Sequence, residues 1–156
     1  MNFRISGLPL AQFAPLFSLP DDQLAERNIV RRIADRKPGF PCRVSLRDAD
    51  VGESVLLLNY EHHTVATPYR SSHAIYVRED AQQAAPDVGE VPDVLSSRLL
   101  SVRAFDASGF MANADVVDGV ELAAAITRFL AQPTVAYLHL HNAKPGCYAA
   151  RVDRVS

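Results

Sequence analysis

The sequence lacks the features that would direct the protein to a membrane or a nucleic acid. It contains no uncharged apolar run approaching the roughly 18 residues that are needed to cross a bilayer. It also has no excess of charge of one sign, because 16 basic residues face 18 acidic ones and the formal net charge is −2. The net charge of the protein therefore gives no electrostatic attraction to a phosphate backbone or an anionic lipid surface. We expect no nucleic-acid partner and no membrane partner.

Cysteine is scarce, and an obvious export signal is missing. Cys42 and Cys147 are the two cysteines, too few for a disulfide framework. The N-terminal 20 residues are rich in apolar side chains, but Arg4, Gly7 and Pro9 interrupt them, so they do not form the continuous apolar segment of a signal peptide. We expect a cytoplasmic protein in which both cysteines are free thiols.

What the chain does have is enough apolar residues to fold around one core. Its length of 156 residues and its 48% hydrophobic content are typical of one globular domain, so we expect a single domain over 1–156. Strand-length apolar runs and period-two alternation recur along the chain, for example in SVLLLNYEH and HAIYVRE. The sequence therefore predicts an α+β fold with an antiparallel-rich β-sheet or a partly closed barrel. The acidic stretch 80–97 contains no basic residue and is predicted to be a long surface loop.

Two helices are predicted to pack on this sheet. The main helix, 119–132, has apolar residues at helical spacing, and Asp118 and Glu121 match a capping box at its start. Pro133 should end it. A short N-terminal helix is predicted over 21–27, where acidic residues follow a proline.

Candidate functional residues concentrate in a predicted hairpin near the C-terminus. Strand alternation puts Tyr137, His139 and His141 on one face, and the turn residues that follow let the chain return antiparallel. If His141 lies opposite Cys147, then Arg151 lies opposite Tyr137 on this same face. A slip of one residue would put Tyr148 and Val152 there in their place. The sequence leaves both registers open.

These residue types suggest three kinds of chemistry. His139 and His141 are the candidate metal ligands and zinc or another divalent ion the candidate cofactor, although two histidines without a CxxC or HExxH motif do not complete a recognised site and no metal site is predicted. A thiolate at Cys147 beside His141 or His73 would be a candidate nucleophile, and His139 is a further catalytic candidate. Alternatively, Tyr137, Arg70, His73 and Arg151 would bind a polar or anionic small molecule.

Four long blocks of the sequence also resemble a known family. They are PGFPCRVSLRDADVGESVLLLNYEH, TPYRSSHAIYVRE, LLSVRAFD and YLHLHNAKPGCYAARVDR, in this order. With them the chain resembles a bacterial family of unknown function, domain-of-unknown-function family 1203, from Phe3 to Arg154. The resemblance implies a stand-alone domain of about this length with no assigned activity, so no catalytic role is transferred from it.

Our leading functional hypothesis is a domain that binds a small polar or anionic ligand on the hairpin face. Whether it is an enzyme stays open at this point. One alternative is a non-catalytic interaction domain that forms a homodimer through an exposed sheet edge or the acidic loop. The other is a metal-binding protein that uses the HxH strand.

Overall fold

The protein is rich in β-structure. The computed structural model describes residues 2–156. Their strands are β1 (Asn2–Ser6), β2 (Val30–Ile33), β3 (Pro41–Cys42), β4 (Arg47–Asp48), β5 (Ser54–His63), β6 (Ser71–Arg78), β7 (Leu99–Phe105), β8 (Met111–Asp118), β9 (Tyr137–Asn142) and β10 (Tyr148–Val155). The α-helices are α1 (Ala14–Phe17), α2 (Asp21–Glu26), α3 (Asp93–Ser96) and α4 (Leu122–Leu130), with 3-10 turns at Leu10–Gln12 and Gly119–Glu121.

The chain divides into two compact units. Unit 1 comprises 2–6, Glu61–His73 and Ala85–Ser156, and unit 2 comprises Gly7–Tyr60 and Ala74–Ala84. Every residue of the candidate site described below belongs to unit 1.

Unit 1 is built on a five-stranded sheet in the order β1-β10-β9-β7-β8, in which all neighbours are antiparallel. Strand β9 lies at its centre and is buried along its whole length. Leu138 and Leu140 of this strand are completely buried, as are Leu100 and Val102 of β7. Because alternation puts these apolar residues on one face of the sheet, Tyr137 and the two histidines of β9 must share the other face.

Helix α4 covers part of this apolar core. Its residues Leu122, Ile126 and Phe129 recur every three to four positions and are all buried. The helix ends before Pro133, and the guanidinium of Arg154 donates hydrogen bonds to the carbonyl groups at and beyond its last turn, including Leu130 O at 2.6 Å. A cation at this position also complements the negative end of the helix dipole.

Unit 2 contains most of the second sheet, in the order β2-β5-β6-β3-β4, while the ends of β5 and β6 within Glu61–His73 are counted in unit 1. Strands β2 and β5 pair antiparallel, as do β3 and β4, whereas β3 and β6 run parallel with Cys42 opposite Tyr76. Half-buried and buried polar side chains are paired here. Arg78, for example, donates two hydrogen bonds to the Glu53 carboxylate.

The structure confirms an antiparallel-rich fold with few helices and corrects several details. The barrel alternative is wrong, because both sheets are open at their edges. The predicted capping box is also wrong, since Asp118 makes no capping hydrogen bond and a 3-10 turn precedes α4. The main helix therefore covers Leu122–Leu130 rather than 119–132, and the N-terminal helix ends at Glu26.

Two further differences concern loops and short strands. In the segment PCRVSLRD, whose middle part CRVSL has the composition of a strand, only the two residues of β3 and the two of β4 are extended, and a turn joins them. The predicted loop 80–97 includes α3, whose Val94 and Leu95 are buried. Among residues 2–156, no helix is both long enough and apolar enough to cross a membrane.

Candidate functional site

Three histidines converge in unit 1. His139 and His141 come from β9, and His62 comes from the last residues of β5, within the segment Glu61–His73. One ring nitrogen from each histidine lies within 4.8 Å of the corresponding atoms of the other two. His139 and His141 are almost completely buried, and His62 is half-buried. We call these residues the three-histidine cluster.

Hydrogen bonds show which nitrogens are available for binding. The Nδ1–H of His141 donates to the carbonyl of Gly146 at 3.0 Å, which leaves the Nε2 lone pair free to bind. The Nδ1 atoms of His62 and His139 are buried and have no hydrogen-bond partner among the described residues. A buried polar atom without a partner costs about 1–3 kcal/mol. The cluster therefore contains two nitrogens that an additional ligand would stabilise.

Aromatic rings hold His139 in place. The ring centroids of Phe105, Tyr137, Tyr148 and His63 all lie 5.2–5.3 Å from that of His139. Tyr148 also stacks on His62, with an interplanar angle of 10°. Since packed aromatic rings have few alternative rotamers, this surround fixes the direction in which the His139 nitrogens point.

The neighbouring His63 has a different role, because both of its ring nitrogens are already used. Its Nδ1–H donates to the carbonyl of Tyr69 at 3.1 Å, and its Nε2 accepts a hydrogen bond from the Tyr137 hydroxyl at 2.7 Å. Burial raises the pKa of Tyr137, so this hydroxyl keeps its proton and remains a donor. His63 therefore packs beside the cluster with Tyr137, and it has no free ring nitrogen with which to bind a ligand.

All three cluster histidines are neutral at neutral pH. Burial, reinforced by neighbouring cationic groups, lowers the pKa of His139 to about 2, that of His141 to about 3 and that of His62 to about 4. The Arg103 charge contributes to the lowered pKa of both His141 and His62. Because a metal ion binds the neutral imidazole, protons do not compete for these nitrogens under physiological conditions.

The sheet register places two arginines on the same face. His139 lies directly opposite Arg103 of β7 and Arg151 of β10. His141 likewise lies between Ser101 and Tyr148. The pair of Tyr148 with His141 is the one that the slipped register predicts, whereas the pair of Arg151 with His139 belongs to neither of the registers that the sequence left open. A bulge at position 149, between Tyr148 and Ala150, inserts one extra residue, so Tyr148 and Arg151 can both face the histidines.

The sequence-predicted site residues divide into two groups. Tyr137, His139, His141 and Arg151 share the histidine face, and the Arg151 guanidinium lies 4.2 Å from the centroid of the Tyr137 ring. Cys147 is buried outside the metal-ligand group, and its sulfur accepts a hydrogen bond from the Asn142 amide at 3.6 Å. Asn142 follows His141 along β9, so alternation turns it to the opposite face.

Arg70 and His73 lie outside the cluster. Arg70 is exposed and forms an ion pair with Glu61. His73 is close enough for its charge to lower the pKa of His62 and His141, but its ring nitrogens are not among the converging atoms.

His62 is the candidate ligand that sequence reasoning missed. In the sequence, Glu61, His62 and His63 form the polar end of the run SVLLLNYEHH. The available signal was a strand ending in two adjacent histidines, because alternation must send one of them to each face.

The donor set is suited to a transition metal ion. Imidazole nitrogens bind zinc, copper, nickel and iron. The zinc–nitrogen distance is about 2.0–2.1 Å, so two ligand atoms of a tetrahedral zinc site lie about 3.4 Å apart. The nitrogen–nitrogen separations, at present up to 4.8 Å, would therefore shorten by up to about 1.4 Å when zinc binds. No carboxylate belongs to the group, so a hard ion that prefers oxygen ligands, such as calcium or magnesium, fits poorly.

Comparison with known proteins identifies the family but adds no activity. No curated protein and no solved structure matches this sequence. The family described as a protein of unknown function, DUF1203, matches residues 39–154, which include all three cluster histidines. Since this match covers well over half of the chain, the protein belongs to the DUF1203 family.

Proposed function

We propose that the protein binds a divalent first-row transition metal ion, with zinc as the reference case, through His62, His139 and His141. The observation that carries this proposal is the convergence of three neutral imidazoles, two of which have a buried nitrogen without a protein partner. Buried polar atoms in folded proteins are rarely left without partners. Coordination of a metal ion through these two Nδ1 atoms would give both of them a partner.

The surroundings of the cluster also support metal binding. The carbonyl of Gly146 fixes the tautomer of His141, which is the role that carbonyls and carboxylates play behind metal-binding histidines. The aromatic rings around His139 limit its motion, so little side-chain entropy would be lost on binding. The cluster is therefore largely ordered in advance of binding.

The number of ligands indicates the kind of site. Structural zinc sites usually have four protein ligands, whereas catalytic sites have three and leave a position for water or substrate. A metal ion held by three histidines supplies a Lewis acid and lowers the pKa of a bound water molecule. We infer that the site belongs to the open class.

The test is a titration of metal-free protein with zinc, followed by calorimetry and by elemental analysis after dialysis. We expect one zinc ion per chain. Each of the variants His62→Gln, His139→Gln and His141→Gln should weaken binding by more than the roughly 10–100-fold that is lost when a hydrogen-bond partner of a ligating residue is removed. The matched control is His73→Gln, which removes a neighbouring histidine outside the cluster and should retain binding close to that of the unsubstituted protein.

Circular dichroism of each variant checks that the fold is retained. If folded protein binds no zinc, cobalt, nickel or copper ion, the proposal is wrong and the cluster is a packed group of neutral side chains. If zinc binds but His73→Gln abolishes binding while His139→Gln does not, the ion lies elsewhere and the assignment of ligands is wrong.

A further inference from the structure

Arg103 occupies a central position beside the three-histidine cluster. It lies opposite His139 across the β7–β9 pair, and it is half-buried. Its Nε–H donates to the Ser101 hydroxyl at 3.1 Å, and Ser101 lies opposite His141. Arg103 and Ser101 of β7 therefore lie beside the two histidines of β9.

The two arginines that flank His139 differ in how their charge is balanced. Arg151 donates to both carboxylate oxygens of Asp153 at 2.9–3.1 Å, so it has a counter-charge within the protein. Arg103 forms no ion pair with any carboxylate among residues 2–156, and burial lowers the pKa of its guanidinium. A guanidinium nevertheless stays protonated at neutral pH, so Arg103 carries an uncompensated charge.

Charge balance becomes more demanding once a metal ion is bound. The cluster contributes three neutral ligands and no carboxylate, so a divalent ion would bring its full charge next to that of Arg103. Partly buried like charges repel strongly, because the low local dielectric screens them poorly. An anion that contacts both cations would remove this repulsion, whereas a neutral ligand would not.

We propose that the site binds a small oxyanion, a carboxylate or phosphate group, that contacts the metal ion and is held in place by Arg103. This inference rests on the proposed metal site and names the class of ligand that completes it. A guanidinium presents parallel N–H donors that match two oxygens of one carboxylate or phosphate. The Ser101 hydroxyl offers a further donor on the same strand.

The inference also separates the roles of the two arginines. Arg103 would contact the ligand. Arg151 is held by Asp153 and by the face of the Tyr137 ring, so its role would be to stabilise the packing around the cluster. Substitution of Arg103 should therefore weaken anion binding selectively, without loss of the metal ion.

The experiment uses the full chain loaded with one equivalent of cobalt(II), with unbound metal removed. Inorganic phosphate and acetate are titrated separately, and both the visible absorption of the cobalt ion and the heat of binding are recorded. The comparison of the two anions distinguishes a phosphate from a carboxylate preference. The variants are Arg103→Gln and Arg103→Lys. The control is Arg128→Gln, which removes an exposed arginine paired with Asp115 on α4.

We expect at least one anion to shift the cobalt spectrum, with its Kd raised roughly tenfold or more in Arg103→Gln and unchanged in Arg128→Gln. Arg103→Lys keeps the charge but not the paired donors, so its Kd should lie between those of the unsubstituted protein and Arg103→Gln. Arg103→Gln removes a charge that repels the metal ion, and Arg103→Lys keeps it. Cobalt affinity should therefore not fall in either variant.

The outcomes separate this inference from the metal site itself. If cobalt binds but neither anion perturbs its spectrum at millimolar concentration, or if both anions bind Arg103→Gln as well as the unsubstituted protein, the oxyanion inference is wrong and the metal site stands. If cobalt does not bind, both proposals fall together. If Arg103→Gln does not fold, the decision passes to Arg103→Lys, for which an unchanged anion Kd would overturn the inference.

Discussion

The buried histidines should make the metal-free protein unusually sensitive to mild acid. His139 and His141 are 3% and 1% exposed, and burial lowers the pKa of each to about 2 and about 3. In the unfolded chain the same side chains regain a pKa near 6.5. The unfolded state therefore binds more protons below about pH 6.5, and the free energy of unfolding must fall as the pH decreases through that value. The loss levels off only near the low pKa values of the folded state.

The magnitude follows from the unfolded-state titration. Between about pH 7.5 and about pH 5, protonation of one histidine with a pKa near 6.5 stabilises the unfolded chain by about 2 kcal/mol, while the folded state stays unprotonated. Two such residues give about 4 kcal/mol, a large part of the 5–15 kcal/mol that stabilises a typical domain. His62 is half-exposed and adds less, because solvent reduces the effect of burial on its pKa.

The assay is urea unfolding in the presence of a chelator at both pH values, for the unsubstituted protein and for His139→Gln, His141→Gln and the double variant. Each substitution removes one titrating group, so the acid-induced loss should shrink by about 2 kcal/mol per substitution. Differences between the two pH values cancel any loss of packing that the glutamine causes. If the double variant loses as much stability in acid as the unsubstituted protein, these histidines are not held neutral by the fold.

Three further predictions concern contacts outside the ligand set, each measured by urea unfolding at neutral pH. Arg154→Ala should cost roughly 1–3 kcal/mol, because it removes several hydrogen bonds to carbonyls at the end of α4, and an unchanged midpoint would refute this role. Gly119→Ala should cost about 1–3 kcal/mol, since a Cβ would lie 2.1 Å from the Leu95 carbonyl oxygen; a neutral effect would mean that the backbone relaxes freely. Tyr137→Phe should cost about 1 kcal/mol by leaving His63 Nε2 without its donor, and a stabilising effect would contradict that hydrogen bond.

The C-terminal hairpin shows what local sequence information can predict. The alternation in YLHLHN, followed by turn residues, predicted strand β9 and its return in β10, and the structure confirms both strands. The pairing could not be predicted, because a bulge at position 149 depends on how β10 packs rather than on any turn signal. Strand β8 was missed for a related reason, since Met111–Asp118 is largely exposed and carries little apolar alternation.

The third histidine of the cluster could not be predicted, because its position beside the other two depends on tertiary structure. His62 and His139 are separated by more than 70 positions in the chain, and no spacing rule connects them. The HxH pair supplied two candidate ligands, and two ligands alone do not define a metal site. The predicted single domain, cytoplasmic location and homodimer stay predictions.

The composition of the histidine face is itself an argument that it serves a function. Stability alone would favour apolar side chains in the middle of a buried strand, since each neutral imidazole with an unpartnered nitrogen costs free energy that leucine would not. The opposite face of β9 follows that rule with Leu138 and Leu140. Places where a chain departs from such local rules are expected to be functional sites. Both histidines of β9 lie on one face, and the unbalanced charge of Arg103 lies on the same face. The opposite face carries one buried polar residue, Asn142, whose Oδ1 also has no partner among the described residues. A bound cation would give the unpartnered histidine nitrogens a partner, and a bound anion would balance the charge of Arg103. Neither ion alone would do both.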